Sequence, residues 1–277
     1  MFTTTEGGDL VTLEYSNYLD LNNVQFDNKS IAIDFSSLLK ESNLGLGMTY
    51  TNNSIDFVSY DRTHNYSMFE TIHNVEIFAR YKKAIVNNWT MDLVLVPYLS
   101  STLNDKISND DFILSYSANF TKTWYKDGLK SALKLGVGYG ALFGKPDFYP
   151  LISYASNVNE KLRYEIGIPI TGVFYELNEQ NGFDFTVEPE SIYAYNGSDY
   201  RIENGQIIHN SELEFKAIKF ELGYNFKFDN NWSTNFNVGY LVDSELTISE
   251  NDNNIYDFDS GESLSLNIGI SFNINNK

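Results

Sequence analysis

The sequence contains no cysteine, three histidines and only 19 Lys+Arg against 37 Asp+Glu, a formal net charge of −18 over 277 residues. Each shortage removes a class of function. Without Cys there are no disulfides, thiolate zinc sites, iron–sulfur clusters or Cys nucleophiles. Without clustered Lys/Arg there is no grip on phosphates, so nucleic acid is excluded as a partner. No apolar run approaches the ~18 residues of a membrane helix. The first residues, Met1-Phe2-Thr3-Thr4-Thr5-Glu6-Gly7-Gly8, have neither the basic nor the apolar region of a signal peptide. The expectation is a chain whose leader has been removed.

What the chain does have is aromatic content, 16% of residues, and a period of two. Leu114, Tyr116, Ala118 and Phe120 alternate with Ser115, Ser117 and Asn119. Leu133, Leu135, Val137 and Tyr139 alternate with Lys134, Gly136, Gly138 and Gly140. Trp232 to Val242 and Leu264 to Ile274 repeat the pattern. Strict alternation predicts strands, and nothing repeats at helical spacing, so the fold class is all-β.

Strand length chooses between two kinds of all-β protein. Soluble strands run about 5–6 residues, whereas a strand crossing a bilayer needs about 9–11 with one apolar face. These strands are of the second kind. The reading is a single-domain transmembrane antiparallel up-and-down β-barrel spanning 1–277. Its polar face turns to a lumen, with Glu76, Arg80, Lys82, Ser115, Ser117, Asn119, Lys134, Arg163, Glu165, Glu214, Lys216, Lys219 and Glu221 facing inward.

Breaks in the pattern alternate between short and long. Lys40–Asn43, Ala84–Asn88, Lys126–Gly128, Val158–Glu160, Asn178–Gly182 and Phe228–Asn231 are short, as periplasmic turns are. Asp20–Asn28, Asp61–Ser67, Asn104–Asp110, Phe143–Asp147, Asn196–His209 and Ser249–Gly261 are longer and more acidic, as outer loops. Alternation requires one further outer turn at Gly167-Ile168-Pro169-Ile170-Thr171-Gly172, because Pro cannot serve a central ladder. That gives 14 strands, or 12 if the segments around Pro169 or the first strand leave the wall. Trp89, Trp124 and Trp232 all fall at the short turns, as membrane-interface aromatics should. Tyr60, Tyr66, Tyr149, Tyr195 and Tyr200 are expected to form the opposite girdle.

Reactive constellations are scarce. His64, near Asp61, is the one candidate for a Ser-His-Asp arrangement; polar loop histidines are the plainer reading, and no enzyme is expected. Asp257, Asp259 and Glu262 resemble a fragment of a calcium loop, but position 5 is Gly261 and position 12 would be Ile268. No cofactor is implied. From Asp243 to Glu262 there are seven acids and no Lys/Arg. That rim would attract divalent cations and bridge them to lipopolysaccharide phosphates.

The middle of the chain resembles a family of uncharacterised Bacteroidetes-type outer-membrane β-barrels, known as a domain of unknown function. The resemblance rests on Asp110-Asp111-Phe112, on Phe143-Gly144-Lys145-Pro146-Asp147-Phe148-Tyr149-Pro150, and on Asn159-Glu160-Lys161-Leu162. It continues through Gly167-Ile168-Pro169, Tyr175-Glu176-Leu177-Asn178-Glu179 and Val187-Glu188-Pro189. It implies a barrel in the bacterial outer membrane and brings no catalytic residues. The expected function is a passive pore or small-solute transport barrel. The alternative is a structural or accessory subunit of an envelope complex; a soluble acidic glycan-binding β-sandwich is more remote.

Overall fold

A computed structural model describes residues 9–21, 24–39, 42–57, 66–202, 205–258 and 260–274. Its strands are β1 (Val11–Leu21), β2 (Val24–Asp34), β3 (Leu44–Asp56), β4 (Thr71–Ala84), β5 (Trp89–Ser101), β6 (Phe112–Lys126), β7 (Leu129–Gly140), β8 (Asp147–Asn157) and β9 (Leu162–Ile168). They continue as β10 (Thr171–Glu176), β11 (Asn181–Asn196), β12 (Tyr200–Arg201), β13 (Ile207–Ile208), β14 (Ser211–Lys227), β15 (Trp232–Glu250), β16 (Asn253–Phe258) and β17 (Ser263–Phe272). β1 to β11 pair in sequence, β11 pairs with β14, β14 with β15, β15 with β17, and β17 with β1. The wall is therefore a closed antiparallel barrel of 14 strands with no free edge along this circuit. β12 and β13 form a small hairpin apart from it, and β16 pairs only with β15.

Strands β1 and β17 meet over Val11↔Phe272 to Leu19↔Leu264. Residues 11 and 272 thus lie at one end, here called lower, with the short turns. The turn at Pro169 exists, so β9 and β10 both belong to the wall, although they span only 7 and 6 residues. One expected loop is absent. Asp20–Asn28 is not a long connection, because β1 runs to Leu21 and β2 starts at Val24, with Leu21 paired to Val24. Leu21, Val24 and Phe26 are essentially fully buried, and that burial keeps the ladder going where composition suggested a loop.

The lower section has an apolar outside and a polar inside. Around the wall Leu13, Ile31, Met48, Ile77, Leu95, Phe120, Val137, Ile152, Ile166, Val173, Phe185, Leu222, Phe236 and Ile268 are exposed. A belt of that extent has no place in water and matches a lipid-facing band. Inside it Thr12 bonds Ser271 at 3.2 Å, Asn267 donates to Ser16 at 2.8 Å, and Asn235 donates to Asn267 at 2.8 Å.

Above the belt the polarity reverses on the same strands. On β14, Ile218, Phe220 and Leu222 point out while Lys219 and Glu221 point in. Higher up, Leu213, Phe215 and Ala217 point in while Glu212, Glu214 and Lys216 point out. β14 is 17 residues long and β15 is 19, well beyond the ~9–11 a bilayer needs. The overhang packs as a soluble protein does. A bulge at Asp243, with φ +53, shifts β15 by one residue so that Leu246 and Ile248 still face inward above Leu241.

A pinch makes this overhang close-packed. β5 and β11, six wall positions apart, meet side by side at Ser101↔Tyr195. The Thr102 amide donates to the Tyr195 carbonyl at 3.1 Å, and the Thr102 hydroxyl bonds Asn196 Oδ1 at 3.1 Å. The Ser100 hydroxyl donates to the Tyr193 carbonyl. The contact divides the upper lumen into two lobes. The larger is bounded by β5, β4, β3, β2, β1, β17, β15, β14 and β11. A ring of about eight strands is just narrow enough for side chains to fill, and this lobe, bounded by nine, is filled as well. Phe26 of β2 packs against Phe215 of β14 across it, ring centroids 5.0 Å apart. Phe57 meets Phe258 at 5.4 Å, and Tyr66 meets Tyr256 at 4.9 Å. The smaller lobe lies between β5, β6, β7, β8 and upper β11.

Candidate functional site

Where the two sections meet, the larger lobe is floored by a charge cluster. Lys219 Nζ lies 3.0 Å from Glu188, 3.1 Å from Glu190 and 3.2 Å from Glu221. All four side chains are only 9–12% exposed. Register explains the grouping: Glu188 pairs with Lys219 across β11 and β14, and Glu190 and Glu221 follow two residues along each strand. Tyr18 of β1 reaches across the lumen to donate its hydroxyl to Glu190 at 3.0 Å. Asn237 donates to Glu221 at 3.1 Å. One cation holding three enclosed carboxylates ties β1, β11, β14 and β15 together directly beneath the apolar plug.

The lower lumen carries smaller pairs. Arg80 of β4 grips Asp92 of β5 through Nε at 2.8 and 3.1 Å and through Nη2. Lys82 stands opposite Asp92, and Glu76 opposite Tyr98, in the β4–β5 register. Arg163 pairs with Glu165 at 3.3 Å and lies over the Phe174 ring at 3.9 Å. Ser115, Ser117 and Asn119 line the inner face of β6 opposite Gly140, Gly138 and Gly136 of β7, and Lys134 stands opposite Thr121. A Cβ at Gly138 would run into the ring of Tyr149, so a larger residue there has to displace that ring. Glu14 points inward with open space around it, so the lower chamber is not filled by side chains at its level.

Glu214 and Lys216 are not lumen-facing. They share β14 with the inward Leu213, Phe215 and Ala217 and so lie on its outer face. Lys216 pairs there with Glu245 at 2.7 Å. Assigning them to the lumen alongside Lys219 and Glu221 requires a change of parity within β14, and the bulge lies in β15 instead. Tyr66, Tyr149, Tyr195 and Tyr200 are 3–6% exposed and buried inside, so they form no upper girdle; Tyr60 lies outside the described residues.

Trp89, Trp124 and Trp232 all sit on lower strand ends. Lys122 covers Trp89 at 5.6 Å, Trp124 stacks on Tyr154 at 6.0 Å, and Trp232 meets Phe272 at 4.8 Å. His64 and Asp259 lie outside the described residues. His73 bonds the Tyr50 hydroxyl at 2.9 Å, and His209 pairs with Asp199 at 2.5 Å. Asp257 is exposed on β16, and Glu262 accepts from the Tyr240 hydroxyl. Among the described residues no three His, Asp or Glu side chains form a metal-binding group.

Tyr18, Glu188 and Glu190 complete the cluster and are not among the residues the strand pattern assigns to the lumen. Glu188 and Glu190 lie on β11, whose pairing with β14 sets them beside Lys219. That partnership is a matter of register, which a single strand's pattern does not state.

A family model described as a domain of unknown function (DUF6268) matches residues 30–276. Comparison with curated proteins finds no match. Among solved structures, the chain is similar to the NanC porin at 10% identity, covering 95% of this chain and 100% of that one, with a TM-score of 0.44. It is similar to outer membrane phospholipase A from Escherichia coli at 11% identity, covering 96% and 93%, with a TM-score of 0.35. The translocator domain of the autotransporter NalP from Neisseria meningitidis aligns at 8% identity over 98% and 90%, with a TM-score of 0.37.

Proposed function

The chain belongs to this family of unknown function, so its role has to be read from the barrel itself, and we propose that it is a non-conducting barrel of the bacterial outer membrane, a structural or accessory component of the envelope. The short turns face the periplasm and the plugged end faces outward, in keeping with the usual loop asymmetry of such barrels. The observation that carries this reading is the set of contacts across the larger lobe. Phe26 against Phe215 and Tyr18 against Glu190 bridge strands on opposite sides of the lumen. The smaller lobe is occluded as well: Val96, Ile113, Ser115, Tyr149 and Leu151 are each buried within it. The polar lining that suggests a passive pore is confined to the lower chamber.

Reconstitution of the full chain into planar bilayers tests this. The expected result is a flat trace across the usual voltage range, with protein insertion verified independently. Stable, uniform single-channel steps from the wild-type chain would refute it and restore the pore reading.

A further inference from the structure

The two lobes are closed by different means. The larger one is sealed by a packed core. The smaller one is sealed on its flank by a strap, residues 141–146 between β7 and β8. β9 and β10 turn back at Pro169, so upper β8 and upper β11 have no strand between them. The β10–β11 pairing ends at Thr171↔Val187, two residues below Pro189, which pairs with Ile218, and Ile218 is the uppermost apolar outward residue of β14. The gap therefore begins where the lipid belt ends.

Among the described residues, side chains hold the strap over that gap. The Ser191 hydroxyl donates to the Ala141 carbonyl at 2.7 Å. Lys145 pairs with the exposed Asp252 at 3.1 Å and with the partly buried Glu212 at 3.7 Å. Gly144, at φ +103, fits tightly against Glu214. No ladder bond ties residues 141–146 to a neighbouring strand among the described residues. Behind the strap lie Val96, Ile113 and Leu151, together with Tyr149, which is 3% exposed. The Tyr149 hydroxyl is buried with no hydrogen-bond partner. A compartment lined by Val96, Ile113 and Leu151 beside Ser115, with one unpartnered hydroxyl at Tyr149 and adjoining the outer edge of the lipid belt, has the chemistry of a site for an acyl chain and its ester oxygen.

We propose that the 141–146 strap is a lid, and that the smaller lobe admits an acyl chain of an outer-leaflet lipid through the gap above the β9–β10 hairpin. The inference rests on the outer-membrane reading, because the ligand comes from the bilayer.

The test uses the full chain in nanodiscs containing phosphatidylcholine with a diazirine at the acyl end, and reads residue-level photolabelling by mass spectrometry. Because the sequence has no cysteine, Ala141→Cys with Ser191→Cys gives a single lockable pair. Expected are labels on inward Val96, Ile113 or Leu151 in the reduced pair, falling at least fivefold when it is oxidised. Lys145→Ala, which loosens the strap without touching the lobe, is expected to raise them at least twofold. Inward labels that are absent, or that are unchanged by locking and by Lys145→Ala, overturn the proposal. Labels on outward Leu95, Leu114 and Ile152 are expected in every state. Their loss signals failure of the membrane reading rather than of the lid.

Discussion

Lys219→Met is the sharpest perturbation of the charge cluster. The substitution roughly keeps the length of the side chain but removes the ammonium that lies 3.0–3.2 Å from Glu188, Glu190 and Glu221. Those carboxylates are only 11–12% exposed, so they cannot regain bulk hydration without moving. Breaking a buried pair by deleting one partner costs about 3–5 kcal/mol, most of it the desolvated charge left behind. The control is Lys216→Met, three residues away on the same strand. Its pair with Glu245 is 39% and 57% exposed, and exposed pairs contribute about 0–1 kcal/mol. Urea unfolding of both variants in the same lipid, followed by tryptophan emission, measures the difference. A triple variant that adds Glu188→Gln and Glu190→Gln to Lys219→Met is expected to recover part of the loss. If Lys219→Met costs no more than Lys216→Met, the cluster is not an enclosed tie and the reasoning fails.

Three further outcomes follow from the same packing. Gly138→Leu forces a side chain into the space of the Tyr149 ring; a loss of about 1–3 kcal/mol is expected from overpacking, and a neutral result in the same unfolding assay would contradict the close packing of Tyr149 against Gly138. In the lower turn, backbone N–H groups of Asn231 and Trp232 hold the Asp229 carboxyl below the usual carboxylate value. Its stabilisation is therefore present above the unfolded value near ~3.9 and is lost as pH falls through the lower folded value; Asp229→Asn should flatten that acid limb in a pH series of melting curves. At the strap, burial pulls Lys145 down, but the hydrogen bond to Asp252 and the charge of Glu212 outweigh it, leaving Lys145 raised. That contribution is complete below the unfolded value of ~10.4 and is lost as pH rises through the folded one, so proteolysis of residues 141–146 should quicken at alkaline pH in the wild type and show no such pH step in Lys145→Ala.

The sequence made the wall legible because lipid imposes the same demand on every strand. Leu264 to Phe272 alternates without a fault, and Pro169 marks a turn that no continuous strand could hold. It left the upper section illegible because two amphipathic patterns of opposite sense share one strand. Within β14 the run Glu212, Glu214, Lys216 alternates with Leu213, Phe215, Ala217 as cleanly as Ile218, Phe220, Leu222 alternates with Lys219, Glu221, Gly223. Composition alone does not say which polar row meets water outside and which meets it inside. The pinch at Ser101 and Tyr195 was hidden too, because a single parallel contact between strands six places apart leaves no periodic trace.

Site-directed spin labelling along β14 addresses the reversal of polarity most directly, since a chain without cysteine accepts one label at a time. Power saturation with oxygen and with a nickel chelate would be read at each position from 212 to 224 in lipid bilayers. Positions 218, 220 and 222 are expected to favour oxygen, and 212, 214 and 216 the nickel chelate. Positions 213 and 215 should be reached by neither. Nickel access at 213 and 215 would mean a water-filled channel through the outer end and would contradict the account.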